Sequence, residues 1–305
     1  MLVTILLLIL TLFVVPFISF YYGTPLNEIQ SAMLYESSMI AVGVALYCFI
    51  VSEIAKNYSQ VDKLWSVVPF VYGWYITANT GFDPRMVLMS VLATIWGLRL
   101  SYNFARRGGY SWKFWEGEED YRWEVLRKRK GFSNPIVWKL FNFFFICFYQ
   151  HGLIYLFSIP ILYGLSDNAA ELYWADYVLA AIFVVLVVIE YIADQQQWDF
   201  QTEKYRRINS GEDLGEYAHG FVRTGLWGLS RHPNYGAEQA IWVVYYLFSV
   251  AATGEWINWT AAGMILLFIL FKSSSDFSEE ISAGKYPEYK DYQQKVPRFI
   301  PFLKF

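Results

Sequence analysis

Val178-Leu179-Ala180-Ala181-Ile182-Phe183-Val184-Val185-Leu186-Val187-Val188-Ile189 runs without a charge, a proline or a glycine. With its flanks it forms an apolar stretch from Trp174 to Ala193, and about 20 such residues cross the hydrocarbon core of a bilayer as a helix. Working outward, comparable stretches lie at Leu2–Tyr22, Met33–Ser52, Leu64–Ala78, Met86–Phe104, Lys139–Tyr163, Ala237–Thr253 and Ile257–Phe271. Composition agrees, because 56% of the residues are hydrophobic and only 17% charged, against about a quarter charged in soluble domains. The expected fold is all-α, a polytopic membrane helical bundle of about eight spans. The first stretch has no basic residue before it and no small-residue cleavage site, so it reads as a span rather than a secretory signal. No repeat, Pro-rich linker or low-complexity block divides the chain.

Orientation follows from the basic residues, because cytoplasmic loops keep Lys and Arg while short translocated loops exclude them. With eight spans, the loops at 54–63, 105–138 and 194–236 and the tail from Lys272 share one side and hold nearly every basic residue, including Arg127-Lys128-Arg129-Lys130. The opposite loops at 23–32, 79–85, 164–173 and 254–256 hold only Arg85 beside several acids. Both termini are therefore expected in the cytoplasm, with the protein in a bacterial inner membrane or the endoplasmic reticulum. A label at Lys128 should react from the cytoplasm and one at Asn168 from the other side. The net charge of -3 gives no global basic field for nucleic acid. Cys48 and Cys147 each lie in an apolar run, and only His151, His219 and His232 are present, so neither a disulfide nor a metal is expected.

Two loops on the basic side are far longer than a helix connection of about 2–8 residues. The first, Ala105 to Trp138, mixes Arg106, Arg107, Arg122 and the basic quartet with Trp112, Trp115 and Trp123, as a segment resting on lipid headgroups would. The second, Asp194 to Gly236, leads into Gly225-Leu226-Trp227-Gly228-Leu229-Ser230-Arg231-His232-Pro233-Asn234-Tyr235, followed by Glu238 and Trp242. Pro233 pushes His232 into an extended conformation and marks a tight entry to a helix that Asn234 can cap. Glu238 and Trp242, four apart, face one direction beside the always-charged Arg231. A plain interfacial role for Arg231 and Trp242, an ion pair and an aromatic belt, is the simpler alternative.

The motif as a whole resembles the Ser-Arg-His-Pro-Asn-Tyr-x-Gly-Glu signature of the steroid 5α-reductase superfamily, including its bacterial-type membrane members. Val61-Asp62-Lys63-Leu64-Trp65, Trp96-Gly97-Leu98-Arg99-Leu100-Ser101-Tyr102, Arg106-Arg107-Gly108, Glu119-Asp120-Tyr121-Arg122, the stretch from Glu190 to Gln197 and the tail from Tyr286 to Pro301 extend the likeness over roughly residues 50–305. The resemblance implies a seven-span reductase core at 33–305 preceded by an extra transmembrane segment at 1–32. It also implies a hydride taken from NADPH without a Rossmann domain, and no Gly-x-Gly-x-x-Gly stands between a strand and a helix. Carried over residue by residue, it implies cofactor binding by Arg107, Asp194, Arg223, Arg231, His232, Asn234, Tyr235, Glu238 and Trp242. Asp62 then matches a substrate-binding acid that, with Tyr102 assisting, would donate a hydrogen bond to the carbonyl oxygen of an enone in a hydrophobic lipid held in the bilayer. Gly236-Ala237, Glu190 and Ile95 depart from the steroid enzymes where substrate is held, and Gln201, His219 and Ser275 where cofactor is held, so substrate and cofactor grip are expected to differ in detail.

Two other readings compete. An isoprenylcysteine or lipid methyltransferase using S-adenosylmethionine shares an Arg-His-Pro-x-Tyr turn and a tail like Glu279-Glu280…Tyr289…Val296-Pro297-Arg298-Phe299-Ile300-Pro301. A non-enzymatic lipid-binding protein would keep the fold without the chemistry.

Overall fold

The computed structural model describes residues 9–165 and 171–303. Among them 75% are helical and no strand occurs. The helices are α1 Val15–Tyr22, α2 Glu28–Ala55, α3 Gln60–Trp65, α4 Val68–Asn79, α5 Pro84–Ala105, α6 Tyr121–Arg127, α7 Pro135–Gly164, α8 Trp174–Ser210, α9 Leu226–Leu229, α10 Pro233–Thr253, α11 Ala261–Lys285 and α12 Tyr289–Lys295. The middle of α7, Asn142–Tyr149, is wound as a π-helix and its end as a 3₁₀-helix.

Five of these, α2, α5, α7, α8 and α11, are long and apolar enough to cross a membrane. Among the described residues only these five meet that length and composition, so the expected count of eight is not confirmed, for local reasons. The apolar stretch at 64–78 breaks after Trp65 and restarts with Pro69 in the first turn of α4, leaving a helix of 12 residues. At 1.5 Å per residue that is about 18 Å, short of a core about 30 Å thick. Helix α10 carries Asn234, Glu238 and Gln239 in its first two turns. Of the first stretch only Ile9 onward is described, and Asn168 lies outside the described residues.

The chain falls into two compact units, residues up to Ala180 with Tyr245–Leu266, and Ala181–Val244 with Leu267 onward. In the first, α2 starts on a capping box: the Asn27 side chain accepts from the Gln30 N–H, and the Gln30 side chain accepts from the Asn27 N–H. Helices α4 and α5 pair through a short turn, with the Thr77 and Ser90 hydroxyls 2.9 Å apart and the Trp74 indole donating to Thr94 at 3.0 Å. Polar staples also join α2 to α7: Asn142 donates to Ser52 at 2.9 Å and to Glu53 at 2.8 Å, and Ser37 lies 2.8 Å from the Tyr155 hydroxyl. Buried Arg85 grips Asp176 in a bidentate pair at 2.7 and 3.0 Å.

In the second unit, Phe221, Tyr289 and Tyr292 form an aromatic core against Tyr286 and Val296. The tail returns beside the motif, where the Arg231 and His232 N–H groups donate to the Pro297 and Arg298 carbonyls at 2.8 and 2.9 Å. The Ser230 hydroxyl also donates to Arg298 at 2.8 Å. A Cβ at Gly236 would meet the Phe299 carbonyl oxygen at 2.7 Å, so only glycine lets the tail lie this close.

Candidate functional site

The motif Gly225–Tyr235 is held from two directions within the second unit. Gly225 has φ +61°, which suits glycine, and turns the chain so that the Leu226 N–H reaches Gln196 at 3.0 Å. The Trp227 indole donates to the Ala193 carbonyl at 3.0 Å, and the Asn234 amide donates to Asp194 at 3.1 Å. One turn of α8, Ala193–Gln196, thus carries one edge of the motif.

The other edge is an ionic knot on Glu279 of α11. Arg231 Nε donates to its carboxylate at 2.7 Å, His232 Nε2 lies 2.9 Å away, and Gln293 donates at 2.8 Å. Arg231 also donates to the Gln293 carbonyl at 3.0 Å and to the Val296 carbonyl at 2.5 Å. All three of Arg231, His232 and Glu279 are buried. Burial pushes the His232 imidazole below its ordinary pKa, although Glu279 pulls the other way. The Arg231 guanidinium therefore serves the tail, and a phosphate would have to compete with Glu279 for it. Tyr235 stacks on His232, with ring centroids 5.3 Å apart.

Glu238 and Trp242 lie on α10, where the indole donates to the carboxylate at 3.0 Å and both are buried. Arg223 is nearly half exposed and sits by His219 and Glu288, whose carboxylate is 3.4 Å from it. Of the residues named for the cofactor, the structure thus joins Asp194 with Asn234, Glu238 with Trp242, and His232 with Arg231 and Tyr235.

In the first unit, the residues around Asp62 are covered by the first long loop. Lys63 donates to the Phe114 and Glu116 carbonyls at 3.1 and 2.5 Å, and Gln60 donates to the Trp115 carbonyl at 3.1 Å. The Tyr58 N–H reaches Glu119 at 2.8 Å, and the Asp120 N–H reaches the Ser59 hydroxyl at 2.9 Å. Asp62 itself accepts from the Trp123 indole at 3.3 Å. Burial, and then the negative charge of Asp120, raise its pKa above the usual carboxylate value, against the Ser59 and Trp123 hydrogen bonds. Burial would raise Asp120 too, but the Arg122 guanidinium, 2.7 Å away, outweighs it and holds Asp120 down. The stretch at 57–63 and the loop at 110–123 are thus one structure.

Tyr102 is not part of it. Its side chain is 55% exposed, with the Arg106 guanidinium 5.5 Å from the ring centre. Arg107 is exposed as well. Sequence reasoning missed Glu279 and Trp123 as members of these groups. Glu279 was visible only as part of the tail, and Trp123 only as one of several interfacial tryptophans.

A family model described as a protein of unknown function (DUF1295) matches residues 48–296. A protein of Schizosaccharomyces pombe (strain 972 / ATCC 24843), described as uncharacterized, is 33% identical over 299 residues, covering 94% of this chain and 83% of that protein. No solved structure matches.

Proposed function

The chain belongs to the DUF1295 family, and from that premise, with the helices long and apolar enough for a membrane, we propose that it is a membrane reductase. It takes a hydride from NADPH to a carbon–carbon double bond conjugated to a carbonyl in a hydrophobic lipid. The observation that carries the reading is how the motif divides. The residues shared with methyltransferases, Arg231, His232, Glu279 and the tail, bond to one another and so have a structural task common to either chemistry. Those that favour a reductase also meet, the Asn234 amide donating to Asp194 and the Trp242 indole to Glu238.

When bound, NADPH would supply the hydride that, with one proton, saturates the double bond. Asn234 and Asp194 present an amide and a carboxylate suited to the polar nicotinamide or ribose groups. The exposed guanidiniums of Arg107 and Arg223 are suited to phosphate. In the first unit, Asp62, with its raised pKa, would hold a proton and hydrogen-bond a carbonyl oxygen of the lipid. In this reading the chain crosses the membrane eight times, with both termini cytoplasmic and residues 1–32 preceding the reductase core.

Titration of the purified protein with NADPH and with S-adenosylmethionine tests the class. Saturable NADPH binding, and oxidation of bound NADPH on adding an enone lipid, are expected. Binding of S-adenosylmethionine without NADPH would replace this reading with a methyltransferase, and binding of neither with a lipid-binding protein.

A further inference from the structure

The first long loop folds back on the chain at 57–63 with its backbone inward. Four successive carbonyls accept from side chains there: Phe114 and Glu116 from Lys63 at 3.1 and 2.5 Å, Trp115 from Gln60 at 3.1 Å, and Gly117 from Asn57 at 2.8 Å. Lys63 also donates to Gln60 Oε1 at 3.3 Å, and the Tyr110 hydroxyl donates to the Lys63 carbonyl at 2.9 Å. The apolar side chains of the same residues are left outside. Trp112 is fully exposed, while Phe114 and Trp115 are 54% and 42% exposed with their ring centroids 4.8 Å apart. A contiguous aromatic crest of this kind marks a surface that meets another apolar phase.

Helix α2 sets the depth at which that crest lies. Phe114 stacks on Tyr47 with centroids 6.3 Å apart, and Tyr47 shares an exposed apolar stripe of α2 with Ile50 and Ile54. With 28 residues α2 is about 42 Å long, the thickness of a bilayer with both headgroup layers, about 40–45 Å. Tyr47 stands eight residues before the Ala55 end, which is about 12 Å in, whereas one headgroup layer is only about 5–8 Å deep. We propose that the loop at 110–117 is re-entrant, with Trp112, Phe114 and Trp115 inserted among the lipids of the leaflet at the Ala55 end of α2, down to the edge of the hydrocarbon. Non-helical backbone persists at that depth only where protein satisfies its polar groups, and the four bonded carbonyls meet that condition. Lys63, buried at a cost that a loop resting on the surface would not require, supplies two of those bonds. Lys113 and Glu116, exposed and paired at 3.1 Å, reach back to the headgroups. No cofactor or substrate enters this argument, so it is independent of the reductase reading.

The test is electron paramagnetic resonance of the full chain in phosphatidylcholine nanodiscs, with a nitroxide on one introduced cysteine and with oxygen and a water-soluble nickel chelate as competing relaxants. Cys48 and Cys147 are buried and leave little background. Labels at Trp112→Cys and Phe114→Cys are expected to relax more with oxygen than with the chelate, and a label at Lys128→Cys, in the exposed basic quartet, is expected to show the reverse. Adding Lys63→Met removes the donors to Phe114 and Glu116, and the label at 112 is expected to become open to the chelate. Gln60→Leu, a milder change that removes the donor to Trp115, is expected to move the label the same way by less, which keeps the test decisive if Lys63→Met does not fold. Chelate access at 112 and 114 equal to that at 128 would overturn the proposal. So would a depth at 112 that neither Lys63→Met nor Gln60→Leu changes. The NADPH titration on the same samples reports separately on the reductase reading.

Discussion

At the scale of single residues, the two acids near the first long loop are not equivalent. Asp120 forms an ion pair with Arg122, whereas Asp62 has the Trp123 indole and the Ser59 hydroxyl and feels the Arg122 charge without a hydrogen bond to it. Its folded-state pKa therefore lies above the unfolded value near 3.8. Folding favours the protonated form, so the contribution is complete below the unfolded value and is lost as the pH rises through the folded one. Asp62→Asn is neutral at every pH. It is expected to gain stability relative to the wild type as the pH climbs through that window, measured by thermal unfolding in detergent; a difference independent of pH would mean that Asp62 is not proton-bearing. In catalysis the same variant keeps the shape but loses the acid, and hydride transfer from bound NADPH should slow by about 10²–10³. NADPH affinity should change less. Wild-type single-turnover rates would remove Asp62 from the chemistry.

Arg231 and Asn234 stand three apart in the motif, yet their surroundings predict different outcomes. Arg231→Ala leaves Glu279 buried without its main cation, a loss of about 3–5 kcal/mol by comparison with other broken buried pairs. It should unfold the second unit at lower temperature. Asn234→Ala removes a half-buried amide that donates to Asp194 and accepts from the Tyr235 N–H, with no charge pair of its own broken. It should leave the melting temperature close to the wild type while weakening NADPH binding. Equal loss of affinity in both variants, with both still folded, would return Arg231 to the phosphate.

At the scale of elements, the tail and motif work as one clasp. Gly236→Ala places a methyl group at 2.7 Å from the Phe299 carbonyl, so the tail must shift or the helix start must bend. Overpacking of this kind typically destabilises by about 1–3 kcal/mol. The expected signs are faster limited proteolysis after Val296 and a lower melting temperature. An unchanged digestion pattern would show the tail to be free of α10.

That clasp also marks where sequence reading stops. The long helices were legible because uninterrupted apolar runs such as Val178–Ile189 leave few alternatives, but their starts were not, since Asn27, Asp83 and Asn134 cap helices some residues before the apolar runs begin. The break after Trp65 was not, since a wholly apolar stretch has no period to lose. In the site, the motif's position and its i, i+4 pair Glu238–Trp242 could be read from spacing alone. The partners of Arg231 and Asp62 could not, because Glu279 lies 48 residues away and Trp123 61 residues away, and nothing local encodes such pairings.

At the scale of the whole molecule, the distribution of charge makes a claim that chemistry at the site does not. If basic loops stay in the cytoplasm, Lys128 in the first long loop and Asn79 at the end of α4 belong to opposite sides. Both positions are exposed, and the native Cys48 and Cys147 are 0% and 1% exposed, so single cysteines can be introduced with little background. In intact cells or sealed vesicles a membrane-impermeant maleimide should label Asn79→Cys from outside and Lys128→Cys only after permeabilisation. Helices α4 and α5 form a hairpin, so the connection at Thr80–Asp83 reports the same side as the start of α5. The short α4 makes this a demanding test: with only 12 residues it reaches the far side only if α3 and the turn at Ser66–Val67 sit within the membrane rather than at its surface. Labelling of both positions from one side would mean that α4 does not complete a crossing. The order of sides for every later helix would then have to be reassigned.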